Sequence, residues 1–154
     1  MKIYTSRFGE IDVDKDRVIN FARGIFGFPE AKRYIVLDHM NNPEIPFKWL
    51  QAIDKSDLAF VITDPLLFYP DYNPGIEEKD LKELKISDPS DYGTIVIVTI
   101  PHGEPEKMTA NLQGPIVLNL KTRDARQIVL LDEEYSTRYP LLTNHIRLQS
   151  PNVK

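Results

Sequence analysis

Short apolar runs alternate with polar stretches punctuated by proline, and few segments are long enough without one to hold an extended helix. Twelve prolines lie between Pro29 and Pro151, and each excludes a helix interior or a central-strand hydrogen bond at its own position. The runs between them are rich in β-branched and aromatic residues. Arg33 to Asp38, Phe47 to Gln51, Ala59 to Ile62, Thr94 to Ile100, Ile116 to Leu120 and Gln127 to Leu131 all read as strands. Near the start, Ile11 and Val13 flank Asp12, the alternation of a strand with one wet face. One segment has helical spacing. Asn73-Pro74-Gly75 opens a helix from Ile76 to Lys85, with acids in its first turn and lysines towards its end. Pro29 to Lys32 reads as a single helical turn. About nine strands and one short helix predict a mainly β protein, as a small antiparallel β-barrel-like domain or a compact sandwich. Residues 1–142 are expected to form that single domain, and 143–154 to be a flexible C-terminal tail without the alternating pattern.

Length and composition narrow the function classes. A chain of 154 residues is long enough for a self-sufficient core, and 42% apolar with 27% charged residues is ordinary for a globular domain. The absence of cysteine excludes disulfides, thiolate metal sites and thiol catalysis. A net charge of −4 makes unaided grip on a phosphate backbone unfavourable. The N-terminus lacks the apolar core of a signal peptide, and no stretch has the roughly 18 apolar residues of a membrane helix, so a cytoplasmic location is expected.

Reactive chemistry is hard to assemble from these residues. His39, His102 and His145 fall in unrelated contexts without metal-ligand spacing. No Gly-x-Ser-x-Gly elbow exists, and Gly24-Ile25-Phe26-Gly27 lacks the following residues of a phosphate loop. The acids at Asp12, Asp14 and Asp16, or Asp132, Glu133 and Glu134, lack the glycine and distal glutamate of a calcium loop. The expectation is a non-enzymatic binding module with no cofactor and no metal.

Two segments look like partner surfaces. Between Lys55 and Lys79 there is no basic residue, while Asp57, Asp64, Asp71, Glu77 and Glu78 are acidic. Phe68, Tyr69 and Tyr72 sit among them on a loop stiffened by Pro65, Pro70 and Pro74. Such rings are either interface anchors, with the acids speeding encounter with a basic partner, or a lid folded back on the barrel. The second segment is Phe21-Ala22-Arg23-Gly24-Ile25-Phe26-Gly27-Phe28-Pro29, where two glycines permit a tight reversal. Ile25, Phe26 and Phe28 cannot all point inwards from so short a turn, so they either plug a barrel end or leave one or two apolar side chains at the surface.

Taken together, these motifs resemble the flagellar assembly factor FliW family. The turn Phe21-x-x-Gly24-Ile25-x-Gly27-Phe28-Pro29 is similar to its N-terminal signature. Phe47-x-Trp49-Leu50-Gln51 with Leu58 to Val61 and Asp64-Pro65 is similar to its central block. Met108 to Leu112, Gly114 to Asn119 and Gln127 are similar to its C-terminal block. The resemblance implies a small bacterial β-barrel protein without enzymatic activity or cofactor, monomeric when free. It also implies two partners: flagellin, and CsrA, a basic RNA-binding dimer that represses flagellin translation and is inhibited away from its RNA surface. Candidate contacts are Asp64, Phe68, Tyr69, Asp71, Tyr72, Glu77 and Glu78 on the acidic loop, and Ile25, Phe26 and Phe28 on the turn. No direct nucleic-acid or membrane contact is expected. The competing reading is a small β-barrel that binds nucleic acid on platforms such as Tyr69 and Tyr72. It needs a basic stripe beside the rings, where the sequence places acids.

Overall fold

A strand with no polar face has to be covered on both sides, and the run from Thr94 to Ile100 is such a strand. In the computed structural model, which describes residues 1–38, 46–132 and 134–142, it lies between two separate cores. The described strands are, in chain order, β1 (Lys2–Thr5), β2 (Gly9–Asp12), β3 (Ile19–Phe21), β4 (Arg33–Asp38), β5 (Phe47–Ala52), β6 (Ala59–Thr63), β7 (Tyr92–Thr99), β8 (Thr109–Ala110), β9 (Ile116–Asn119), β10 (Asp124–Gln127) and β11 (Tyr139–Pro140). One α-helix is described, α1 (Glu78–Glu83).

Strands β3 to β7 run as successive antiparallel neighbours. β7 then pairs with β9, β9 with β10, and β10 returns to β3, so seven strands close a barrel. The closing pair is parallel, with Asp124 opposite Asn20 and Ala125 opposite Phe21. No hairpin joins these two strands, so nothing forces the antiparallel direction there. β8 pairs with the second half of β7 and β11 with β8, outside the ring.

Side-chain alternation then sorts the apolar residues into layers. Ile95 and Ile97 of β7, Tyr34 of β4, Leu50 of β5, Ile62 of β6 and Ile116 of β9 belong to the barrel interior. Val96, Val98 and Val117 face the other way, against Phe68, Tyr72, Leu84, Ile86 and the segment around Ile128 to Leu141. A third, smaller layer forms where the β1–β2 hairpin lays Ile3 and Val13 on Ile35 of β4. Tyr34 is fully buried beside the Phe21 ring, 5.1 Å away, and burial, followed by the charges of Asp54 and Glu30, pushes its phenol up to about 12.

Several elements differ from the sequence reading. The helix is shorter than Ile76 to Lys85. Glu77 is still extended, and Lys85 adopts φ 59°, letting Ile86 N donate back to Leu81 O at 2.8 Å and end the helix. Pro29 to Lys32 is a turn without a helical segment, because the backbone N–H groups of Lys32 and Arg33 both donate to Asp54. The strand expected from Gln127 starts at Asp124. Its ladder continues only through Ile128 N to Pro115 O and Leu130 N to Gln113 O, both at 2.9 Å. Residues 143–154, His39, Glu133 and His145 lie outside the described residues.

Asp54 holds the start of β4. Its carboxylate accepts from Arg33 Nη2 at 2.7 Å, Arg33 Nε at 3.0 Å and the two backbone N–H groups. Partial burial raises its pKa, but the Arg33 side chain and those N–H groups outweigh burial and hold it below the usual carboxylate range. A carboxyl depressed in the folded state stabilises above its unfolded pKa and loses that contribution as pH falls through the folded value. Asp54→Ala is therefore expected to lower the unfolding free energy by about 1–2 kcal/mol near neutral pH. The gap from the unaltered chain should narrow below about pH 4 in urea titrations run across pH.

Candidate functional site

The turn after β3 is built on Gly24. Its φ is 65°, and a Cβ there would lie 2.6 Å from Phe28 O and 2.7 Å from Pro29 Cα, so no side chain fits without moving backbone. Phe28 N donates to Ile25 O at 2.7 Å, closing the reversal. The three apolar side chains then separate. Ile25 is buried in the barrel core, Phe28 is half-buried with its ring edge-on to Phe60 at 5.4 Å, and Phe26 is 60% exposed. Of the three expected contacts, Phe26 is the one at the surface. Ile25 is a core residue, because the chain reversal aims it back into the ring.

A second loop, between β8 and β9, meets this turn. Asn111 Oδ1 accepts from Gln113 N at 3.1 Å and Gly114 N at 2.9 Å, folding the loop tightly enough that a Cβ at Gly114 would sit 2.8 Å from Asn111 Nδ2. Gln127 joins the two pieces. Its Nε2 donates to Gly114 O at 3.1 Å, and its Oε1 accepts from Phe26 N at 3.0 Å. In the sequence Gln127 stands at the head of an apolar run and within the C-terminal block, without a sign of the two loops it staples. The staple holds Phe26 out at the mouth of the barrel.

The mouth opens on a cavity of about 650 Å³. Ile25, Phe60 and Ile97 form its apolar side, Thr99, Thr109 and Asn111 its polar side, and Lys107 and Arg138 bring positive charge. Thus residues from all three resemblance blocks converge on one end of the barrel. Lys107 and Arg138 stood in no pattern that spacing could reveal.

The acidic loop divides differently from expectation. Phe68 and Tyr72 are buried, so of the two arrangements the sequence leaves open they take the lid, and they are withdrawn as candidate contacts. Phe68 stacks on Phe47 at 5.9 Å. Tyr72 donates its hydroxyl to Leu112 O at 2.6 Å and packs its ring against Tyr135 at 4.8 Å. Burying a large ring is worth about 1.5–3 kcal/mol, and Leu112 O supplies the partner that the hydroxyl needs, so the lid arrangement wins. Burial, with Tyr135 next, holds the Tyr72 phenol well above its ordinary value. Tyr69 is half-buried between Tyr72, Tyr135 and Tyr139. With Tyr72 inside, that pair of rings offers no stacking platform to a base.

The acids stay outside. Asp64, Asp71, Glu77 and Glu78 are all exposed. Asp64 caps its own turn by accepting from Leu66 N at 3.0 Å, leaving Leu66 and Leu67 exposed beside it, two apolar residues the sequence reading passed over. Helix α1 is tied to the barrel by Arg126, whose Nη1 lies 3.1 Å from Asp80 Oδ1 and also pairs with Glu83. Arg23, on the Gly24 turn, reaches Glu83 at 3.4 Å, so the turn and the acidic helix adjoin.

Among the described residues, no group of three or more histidines and carboxylates is placed to hold a metal ion. The acidic runs serve the backbone instead: Asp14 Oδ1 accepts from Asp16 N and Asp132 Oδ1 from Glu134 N, each at 2.9 Å. No described helix is long and apolar enough to cross a membrane.

Comparison with known proteins agrees over nearly the whole chain. The family described as FliW protein matches residues 2–141. Among the relatives, the flagellar assembly factor FliW of Thermoanaerobacter pseudethanolicus is 43% identical over 92% of this chain and 93% of its own length. That of Leptospira biflexa is 38% identical over 98% of this chain and 97% of its own. A crystal structure of the flagellar assembly factor FliW superposes with a TM-score of 0.82 at 33% identity, covering 92% of this chain and 96% of that one.

The two glycines of the turn separate backbone strain from collision. Gly27 also has positive φ, 90°, but a Cβ there meets nothing within 4 Å. Gly27→Ala is expected to cost about 1 kcal/mol of stability from backbone strain alone. Gly24→Ala adds the clash and should cost about 3 kcal/mol, as read from thermal and urea midpoints of the two variants.

Proposed function

The chain belongs to the FliW family, and on that premise we propose that it is a non-enzymatic, cytoplasmic flagellar assembly factor that binds flagellin in a chaperone-like manner and antagonises CsrA. Antagonism is noncompetitive with RNA and relieves repression of flagellin translation. The observation that carries this reading is the exposed acidic ridge of Asp64, Asp71, Glu77 and Glu78. Glu77 and Glu78 meet only Lys79 and Lys82 of the same short stretch, each at 3.6 Å, and such exposed pairs hold little energy. The ridge therefore keeps its field for a basic partner such as CsrA.

An inhibitor that binds away from the RNA surface has to bias CsrA's conformation, and RNA must then weaken the inhibitor's binding by the same factor. Flagellin acts through occupancy. Apolar segments of unassembled flagellin cover the turn at Phe26, which adjoins the acidic helix through Arg23 and Glu83. A partner on one surface crowds the other, so the free pool of this protein tracks how much flagellin awaits export.

Charge reversal by Asp71→Lys, Glu77→Lys and Glu78→Lys together is expected to weaken CsrA binding by about tenfold or more and to flatten its dependence on ionic strength. Calorimetric titrations at several salt concentrations measure both, and unchanged affinity removes the ridge from the interface. Phe26→Ser should lower flagellin recovery in pull-downs while the variant keeps its thermal midpoint, since the ring is exposed and supports no core.

A further inference from the structure

We propose that the cavity at the barrel mouth receives the free C-terminus of a partner polypeptide, its carboxylate held by Arg138 and Lys107 and its last apolar side chain seated on Phe60 and Ile97. The inference rests on the reading that this chain works by binding other polypeptides, and it assigns one site a definite ligand chemistry.

Charge supplies the first argument. In a chain of net charge −4, the lining of this cavity contains no aspartate or glutamate and two cations. Lys107 pairs with Glu104 at 3.1 Å on the exposed side. Arg138 forms no ion pair with any described residue, and its planar fork matches a carboxylate with two parallel hydrogen bonds. The cavity's sign is thus opposite to that of the acidic ridge, and it selects an anionic group.

Shape supplies the second. A volume of about 650 Å³ lies within the usual span for ligand sites, and a few polar groups stand over an apolar wall, the pattern of an oriented amphipathic ligand. Ile25, Phe60 and Ile97 take an aliphatic side chain. The hydroxyls of Thr99 and Thr109 stand where the last peptide groups of a chain end would pass. Because the mouth is open, with Phe26 60% exposed at its rim, the ligand continues outwards, as a polypeptide does and a small acid does not. Gln127 and Gly24 fix the rim in advance, so little ordering cost falls on binding.

The test is a titration of the whole, ¹⁵N-labelled chain with an acetylated hexapeptide ending in two leucines and a free carboxylate, followed by amide chemical shifts. Its C-terminal amide and octanoate are titrated in parallel. The expected result is saturable shifts at Phe26, Thr99, Thr109 and Arg138 with the free acid, and affinity about tenfold lower for the amide. Arg138→Gln, a surface change, should remove the preference for acid over amide while its spectrum elsewhere stays that of the folded chain. Equal binding of acid and amide, absence of shifts at the mouth, or octanoate binding as tightly as the peptide each overturns the assignment. Co-purification of flagellin and CsrA, run on the same preparation, separates the two readings. Retained co-purification without peptide binding removes the cavity assignment alone, and peptide binding without co-purification removes the proposed function and leaves the cavity assignment standing.

Discussion

Strand β7 carries the architecture because it is apolar on both faces. Ile95 and Ile97 need a barrel interior, whereas Val96 and Val98 need an outer cover, and neither requirement can be met without the other. The cover is drawn from the long connection between β6 and β7 and from the segment after β10. Phe68, Tyr72, Leu84, Ile128 and Leu141 are its inner face. This explains why a loop without strand or helix periodicity still has fixed side chains. It is the roof of a strand that would otherwise be half exposed.

The same constraint divides structural from available residues at the surface. Rings that can reach Val96, Val98 or Val117 go inwards, and the acids between them are left on the outside. At the barrel mouth the ring does not close over itself, and a buried amide from Gln127 takes the place of a ladder hydrogen bond by receiving Phe26 N. That single substitution of side chain for backbone keeps an aromatic residue in water, where apolar area is normally withdrawn.

Much of the architecture was legible in the chain. The β-branched runs at Arg33 to Asp38, Phe47 to Gln51 and Ala59 to Ile62 became β4, β5 and β6 with small changes of boundary. The reversal at Gly24 followed from glycine spacing, whereas crowding left open whether its apolar side chains plug the barrel or stay outside. What could not be read were elements of two to four residues, such as β1, β3, β8 and β11, too short to display a period. The inward turn of Phe68 and Tyr72 depended on Leu112 and Phe47, distant in sequence, and no local pattern encodes such partners. The cations of the mouth are similar: Lys107 and Arg138 meet only because β8 and β11 pair.

The parallel seam between β3 and β10 is made of two residue pairs, joining positions about a hundred residues apart. Linking such distant segments costs loop entropy before it returns any contact, so ring closure belongs to the late stages of folding. While the chain is still emerging from the ribosome, β3 to β7 can form only an open sheet with two bare margins. The barrel becomes a barrel when synthesis has passed Gln127, which is also the residue that locks its rim. The mouth, lined by Gln127 and Arg138, is therefore complete only once these late segments have docked on the open sheet, and a partial ring has no finished mouth.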